Sequence, residues 1–388
     1  MNILMVTGVY YPEINGATLQ CRRIVALLKK DFSFTVLTST KKLSLVKYNC
    51  IDEIPVYRIK NRNNALSIIS ISLNILLFFI KNNRNFDIVH LHGFSLKSVL
   101  IIFLSKLFKK KTIIKMTSYG HDDPLSILKK GMILFYFYSL ADRYIGISPI
   151  FKKRYQEVNM DLYKYSYIPN GVDTDLFKPV DGINKKELLR NSLGLPTNIK
   201  LILVVGHFSL DKRPMDVIDA WLNIKDKLSG DSGIVFIGST NSENFEVSEE
   251  IVKAVKERVK IYINNSVFFF DKVNNISEYY QSSDVYVLPS QREGLPNALL
   301  EAMSCSLPVI STRLEGVTDW TIDHGVNGLM YNYGDINELS LLLNRILCDT
   351  IPRGYLGGNA RKTAYKNFNI NNTANRISDL YIELLKDV

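Results

Sequence analysis

Two carboxylates, Glu293 and Glu301, flank the turn in "PSQREGLPNALLEAM" (residues 289–303), and an apolar run follows at once. Proline is best tolerated in the first turn of a helix, so Pro296 predicts a helix start, and the preceding "DVYVLPS" reads as a strand. Backbone N–H groups at Gly294, Leu295 and Asn297 then point out of a helix N-terminus at the carboxyl end of a strand, where anions bind. Gly294 has no side chain to hold a ligand away from the backbone. A carboxylate beside such a site repels the anion itself but accepts hydrogen bonds from hydroxyls attached to it. Glu293 suits a sugar, and Glu301 suits vicinal hydroxyls such as those of a ribose. These residues alone leave two readings open. The glutamates are clamps on the two polyol ends of a sugar nucleotide whose diphosphate lies between them, or they are ordinary helix-end carboxylates, favoured at Glu293 by the helix dipole.

The elements that must position them recur along the chain. Apolar runs alternate with helical stretches: "NILMVT", "FTVLTS", "FDIVHLH", "KTIIKMT" and "DRYIGIS", then "KLILVVG", "GIVFIGS", "DVYVLPS" and "LPVIST". Strands apolar on both faces and separated by helices describe a parallel sheet covered on both sides. The pattern occurs twice, with the turn-rich "YIPNGVDTDLFKPV" between. The expected fold is therefore α/β, with two Rossmann-like doubly wound domains, residues 1–170 and 178–365, facing a cleft at the carboxyl ends of their strands. Residues 366–388 read as a terminal helix packing near the junction.

A chain of 388 residues suits two domains. Its four cysteines, Cys21, Cys50, Cys305 and Cys348, form no C-x-x-C pair, so neither a disulfide framework nor a zinc knuckle is signalled and a reducing cytosol fits. "MNILMVTGVY" lacks the basic n-region of a secretory signal and reads as a buried first strand. The net charge of +10 is unevenly held: residues 1–177 carry 25 Lys and Arg against 12 Asp and Glu, and the remainder carries 23 against 26. One half thus faces something anionic.

Three segments of that half are strongly apolar: residues 65–80, 98–111 and 131–140. Each is shorter than the roughly 20 residues that span a bilayer. They read as buried or interfacial helices, the first foremost as a packed core helix. Lys109, Lys110 and Lys111, Lys129 and Lys130, and Lys152, Lys153 and Arg154 cluster cations beside Leu, Phe and Tyr, a mixture that suits an anionic membrane surface bound peripherally.

The Glu-x7-Glu spacing, with "PSQREGLPNALLEAM" followed by "PVISTRLEGVTDWTIDHGVNGLM", resembles the retaining glycosyltransferases of family 4, which adopt the GT-B fold. "YYPEINGATLQCRRIVALL" is similar to that family's glycine loop and following helix. "TSYGHDDP", "IPNGVDTDLF" and "VVGHFSLDKRP" resemble further segments, so the likeness covers nearly the whole chain. It implies that Gly16 lies beside the donor phosphates, that His121 is the active-site histidine, and that Lys212, with Arg213 beside it, holds the diphosphate. Glu293, Lys212 and His121 would then be catalytic, and Gly294, Leu295, Asn297 and Glu301 would complete the nucleotide-sugar site. The chain departs from the family at His207, where arginine is frequent, and at Ser306 and Asp271, where glycine is frequent.

The resemblance implies transfer from a nucleotide sugar, UDP before GDP, and the basic half placed at a membrane adds the expectation of a glycan or lipid-linked acceptor in bacterial surface polysaccharide synthesis. The work would be done at the cytoplasmic face of the membrane. Oriented amides and Lys212 would stabilise the departing diphosphate without a metal or other cofactor. His90 and His92 alternate on one strand face and read as cleft-lining residues rather than ligands. Gly8 and Gly16 stand too far apart for a dinucleotide or P-loop fingerprint. A GT-B sugar-nucleotide epimerase is the rival enzyme. A nucleic-acid binder has only the charge in its favour, without interleaved exposed aromatics or a recognisable module.

Overall fold

All nine apolar runs are strands in the computed structural model, which describes residues 1–61, 65–228, 230–240 and 247–386. The chain divides into two compact units: Met1–Gly171 together with the segment from Ile370, and Val172–Asn369.

In the first unit the strands are β1 (Asn2–Val6), β2 (Ser33–Thr40), β3 (Tyr48–Ile51), β4 (Ile54–Lys60), β5 (Ile88–His92), β6 (Lys111–Lys115), β7 (Arg143–Gly146) and β8 (Tyr165–Tyr167). They form one sheet in the order β3-β4-β2-β1-β5-β6-β7-β8, parallel throughout except at β3–β4. The strand order reverses beside β1, which pairs with both β2 and β5. The second unit holds β9 (Lys200–Val205), β10 (Ser232–Ile237), β11 (Val267–Phe270), β12 (Val285–Leu288), β13 (Val309–Thr312) and β14 (Leu329–Tyr331), ordered β11-β10-β9-β12-β13-β14 and wholly parallel. Its reversal lies between β9 and β12. Each sheet is the doubly wound arrangement that binds ligands at the carboxyl ends of the strands flanking the reversal.

The cores follow from the apolar runs. In the second unit Ile202, Val204, Ile234, Phe236 and Ile310 are buried under helix Pro214–Ile224, whose Trp221 donates from its indole N–H to Ser232 Oγ at 2.9 Å. In the first unit Ile3, Met5, Ile88 and Ile113 are buried with Ile24 and Val25 of helix Gly16–Leu28. The helix Ile370–Lys386 belongs to this same core, which it enters with Ile377, Leu380, Tyr381 and Leu384. Its spacing of apolar residues is that of one helical face. Residues 387 and 388 of the segment read as a terminal helix lie outside the described residues. Gly171 packs against the start of this helix: a Cβ there would meet the Ile370 Cα at 2.5 Å, so the close approach needs glycine.

The apolar segments form helices Ala65–Asn82, Leu96–Leu107 and Met132–Ser139. The first is not the packed core helix its composition suggests. It buries Ile75, Phe78 and Phe79 but leaves Ile68, Ile69, Leu73, Leu76, Leu77 and Ile80 exposed, because it is apolar on two faces and the sheet covers one. No described helix is long and apolar enough to cross a membrane.

Candidate active site

The loops that leave β9 and β12 meet at the reversal point of the second sheet. Gly206 closes β9 with φ at +157° and Gly238 follows β10 with φ at +158°. A Cβ on Gly238 would stand 1.9 Å from the Gly206 carbonyl oxygen, so the two strand ends touch through bare backbone. A short 3-10 turn, Leu210–Lys212, and Arg213 in the left-handed region then hand the chain to Pro214 at the start of its helix. The β12 loop is fastened to this turn. Gln291 N–H donates to the Asp211 carbonyl at 2.7 Å, and the Arg292 guanidinium donates to Asp211 Oδ2 at 2.5 Å.

That fastening sets Lys212 against Glu293, with Nζ 2.5 Å from Oε1. The carboxylate side chain is 10% exposed and the ammonium 30%, so one face of the pair is open to a ligand. Arg213 is committed elsewhere. Its Nε and Nη2 each lie 2.9 Å from a different oxygen of buried Asp216, and its guanidinium sits 5.0 Å from the centre of the Tyr333 ring. Lys212 is therefore the cation that faces Glu293, with Arg213 bracing the turn behind it.

Helix Asn297–Ser304 follows with Pro296 at its N-cap, one residue before the first turn in which the sequence placed it, and carries no acid in that turn. Gly294, Leu295 and Asn297 lie on the loop and at the first helical position. Glu301, 6% exposed, accepts a hydrogen bond from the Tyr280 hydroxyl at 3.1 Å. Tyr286 lies close enough to both glutamates that their charges add to burial in driving its phenol well above the ordinary value. The helix ends in a Schellman motif: Leu307 N–H bonds to Ala302 O and Ser306 N–H to Met303 O, both at 3.1 Å, with Ser306 at φ +60°.

The remaining site residues lie in the first unit. Gly16 is exposed at the first position of its helix, which Asn15 caps by accepting from Thr18 N–H at 2.9 Å. His121 is exposed on a turn built by two buried aspartates. Asp122 accepts from Thr117 N–H, Thr117 Oγ1 and Ser118 N–H, while Asp123 accepts from Gly120 N–H and caps helix Pro124–Lys130. Burial pushes the Asp122 carboxyl up to about 6. Of the cations that the sequence suggested for a membrane contact, Lys109, Lys129, Lys130, Lys152 and Lys153 are exposed. Lys110 lies over the Phe86 ring, Lys111 opens β6, and Arg154 bonds to Glu157 and Tyr119.

Sequence reasoning missed the partner of the histidine pair. His90 and His92 stack with ring centres 4.6 Å apart, and His90 Nδ1 lies 2.6 Å from the Tyr381 hydroxyl. Lys115, opposite His92 in the β5–β6 register, is 1% exposed, and its ammonium has no hydrogen-bond partner among the described residues. Burial brings Lys115 down to about 8, and burial together with the Lys115 charge brings His90 down to about 3. The signal was present as the second lysine of "KTIIKMT", a charge spaced to alternate with apolar neighbours inside a buried strand.

The profile for "Glycosyl transferases group 1" matches residues 185–363, and that for "Glycosyltransferase Family 4" matches residues 14–176. Over 233 residues the chain is 30% identical to the UDP-Gal:alpha-D-GlcNAc-diphosphoundecaprenol alpha-1,3-galactosyltransferase of Escherichia coli, covering 59% of this chain and 57% of that enzyme. The chain thus spans little more than half of that relative. Over 381 residues it is 27% identical to an uncharacterized glycosyltransferase of Methanocaldococcus jannaschii, covering 94% of each chain. Among solved structures, Anabaena HepE in complex with UDP and glucose superposes with a TM-score of 0.79 at 18% identity, over 99% of this chain and 100% of that one. The last likeness speaks for the fold alone, the first two for descent. With one profile matched in each half, together running through most of the chain, the chain belongs to the family 4 glycosyltransferases of GT-B fold.

Proposed function

We propose that the protein transfers a sugar from a nucleotide sugar, UDP-linked in preference to GDP-linked, with retention of anomeric configuration and without a metal. The acceptor is a glycan or lipid-linked intermediate of a bacterial surface polysaccharide, met at the cytoplasmic face of the membrane that the basic first unit would touch. The observation that carries this reading is the Lys212–Glu293 pair at the reversal point of the second sheet, at 2.5 Å and open on one side. A diphosphate arriving there would draw Lys212 to itself, and the amides that begin helix Asn297–Ser304 would share its charge. Such preorganised donors act where charge grows as the diphosphate leaves, the position in which they lower a barrier most. Glu293, released from Lys212, would accept from the sugar hydroxyls, and Glu301 from the ribose. The UDP of HepE and the UDP-sugar named for the E. coli relative support the choice of base.

A thermal-shift panel of UDP, GDP, ADP and their sugars tests it. A nucleotide at 100 times its Kd stabilises by about 2.7 kcal/mol, so one base should stand out. Transfer that survives EDTA and yields the donor's anomer is the expected result. Loss on chelation with recovery on Mg or Mn ions, or an inverted product, would overturn the mechanism.

A further inference from the structure

From the outward faces of three neighbouring helices in the first unit, we infer that this protein sits on anionic bilayers by inserting an apolar patch, with the lysines serving as its rim. The inference rests on the membrane reading above and moves its main contact from charge to apolar surface. Helix Ala65–Asn82 packs beside Leu96–Leu107, which packs beside Met132–Ser139. On the first, Ile68 and Ile69 are each 68% exposed. On the second, Phe103 and Leu107 share a face, four residues apart, at 48% and 62%. On the third, Met132 and Ile133 reach 79% and 75%. Soluble monomers rarely leave so many large aliphatic side chains together in water.

The charge around the patch selects its occupant. The three helices contain no Asp or Glu, and between Ile54 and His121 the chain has one acid, Asp87, against eleven Lys and Arg. Exposed cations stand at the helix ends: Lys81 directly after Ile80, Lys109 two residues after Leu107, and Lys130 two residues before Met132. A second copy of the chain would bring this single-sign rim against itself. An anionic lipid surface instead pairs with the rim while its acyl boundary takes the apolar faces. Such helices lie in the interface plane rather than crossing it, in keeping with their lengths.

The test uses the full chain with Cys50→Ser and Cys348→Ser, and with either Ile69→Cys or Ile133→Cys carrying an environment-sensitive fluorophore. Vesicles of phosphatidylcholine alone are compared with vesicles that also contain phosphatidylglycerol. Both labels should shift to the blue with the anionic vesicles. Ile69→Ser/Leu73→Ser/Ile133→Ser should bind them at least about tenfold more weakly, since binding scales with the apolar area that leaves water. UDP thermal shift should be unaltered in that variant, which shows it folded. If wild type sediments with neither vesicle, the membrane reading falls together with this inference. If wild type binds anionic vesicles and the triple serine variant binds equally well, this inference alone falls and the lysines account for the contact. A blue shift that follows protein concentration without lipid assigns the patch to a dimer and overturns the inference too.

Discussion

Lys212 and Glu293 come from loops 81 residues apart and meet at 2.5 Å because Asp211, next to the lysine, takes hydrogen bonds from Gln291 and Arg292, next to the glutamate. The pair is therefore held by its neighbours as well as by its own attraction. A group braced in this way can change partners without the loops moving, which suits the turn from carboxylate to phosphate proposed for Lys212.

Three substitutions separate the roles in that site. Lys212→Ala should cost about 100-fold or more in kcat, as loss of one charge-stabilising donor does. Glu293→Ala should lower kcat far more than it weakens nucleotide binding. Glu301→Ala should mainly weaken the nucleotide, read by calorimetry against UDP. Unchanged affinity in Glu301→Ala would remove its ribose role.

The buried ammonium of Lys115 makes stability depend on pH. Held near 8 in the folded chain against about 10.4 when unfolded, it binds fewer protons folded than unfolded across that interval. Its cost is present in full below pH 8 and fades as pH climbs to about 10.4. Lys115→Met should therefore raise stability by roughly 1 to 3 kcal/mol at pH 7, with the gain shrinking between pH 8 and 10 in urea titrations. Lys97, also brought down to about 8 by burial, contributes equally to both proteins and drops out of the difference. A destabilised Lys115→Met at pH 7 would show that the ammonium has a partner in solution.

Ser306 occupies the left-handed position of a Schellman motif, where glycine carries no Cβ penalty. Ser306→Gly should stabilise by up to about 1 kcal/mol with no change in nucleotide affinity, measurable as a rise in Tm. A fall in Tm would mean that the serine hydroxyl contributes more than its backbone strain takes away.

Legibility followed burial. The nine strands that were read from the chain lie where both sheet faces are covered, so their apolar runs are continuous. Five of the described strands were missed, and β11 (Val267–Phe270) is the one among them that is apolar throughout, only four residues long and half-buried at Phe269 and Phe270; the other four lack this mark. β3 lies at the sheet edge, with Tyr48 and Cys50 exposed, β4 alternates through Tyr57 and Arg58, and β8 and β14 have three residues each. Helix Ala65–Asn82 misled for the opposite reason, since composition cannot say which of two apolar faces meets the sheet. At the candidate site, Glu293 and Glu301 were picked out by their spacing about the turn, and Lys212 by resemblance of its segment to a family. The Lys212–Glu293 contact was not, because it depends on which two strands flank the reversal. Arg213 looked equivalent to Lys212 in sequence, and its lock on Asp216 follows from a left-handed residue just before a proline.

The helix Ile370–Lys386, with Tyr381 against His90, sets an order on synthesis. A ribosome releases all eight strands of the first sheet before it has made anything of the second unit, yet their core stays open until the last helix emerges. The second unit, contiguous in the chain from Val172 to Asn369, is free to close in the meantime. The part translated first is thus completed last. Through that interval the apolar helices from Ala65 to Ser139 wait on a nascent chain, in need of either a chaperone or a nearby membrane to keep them from one another.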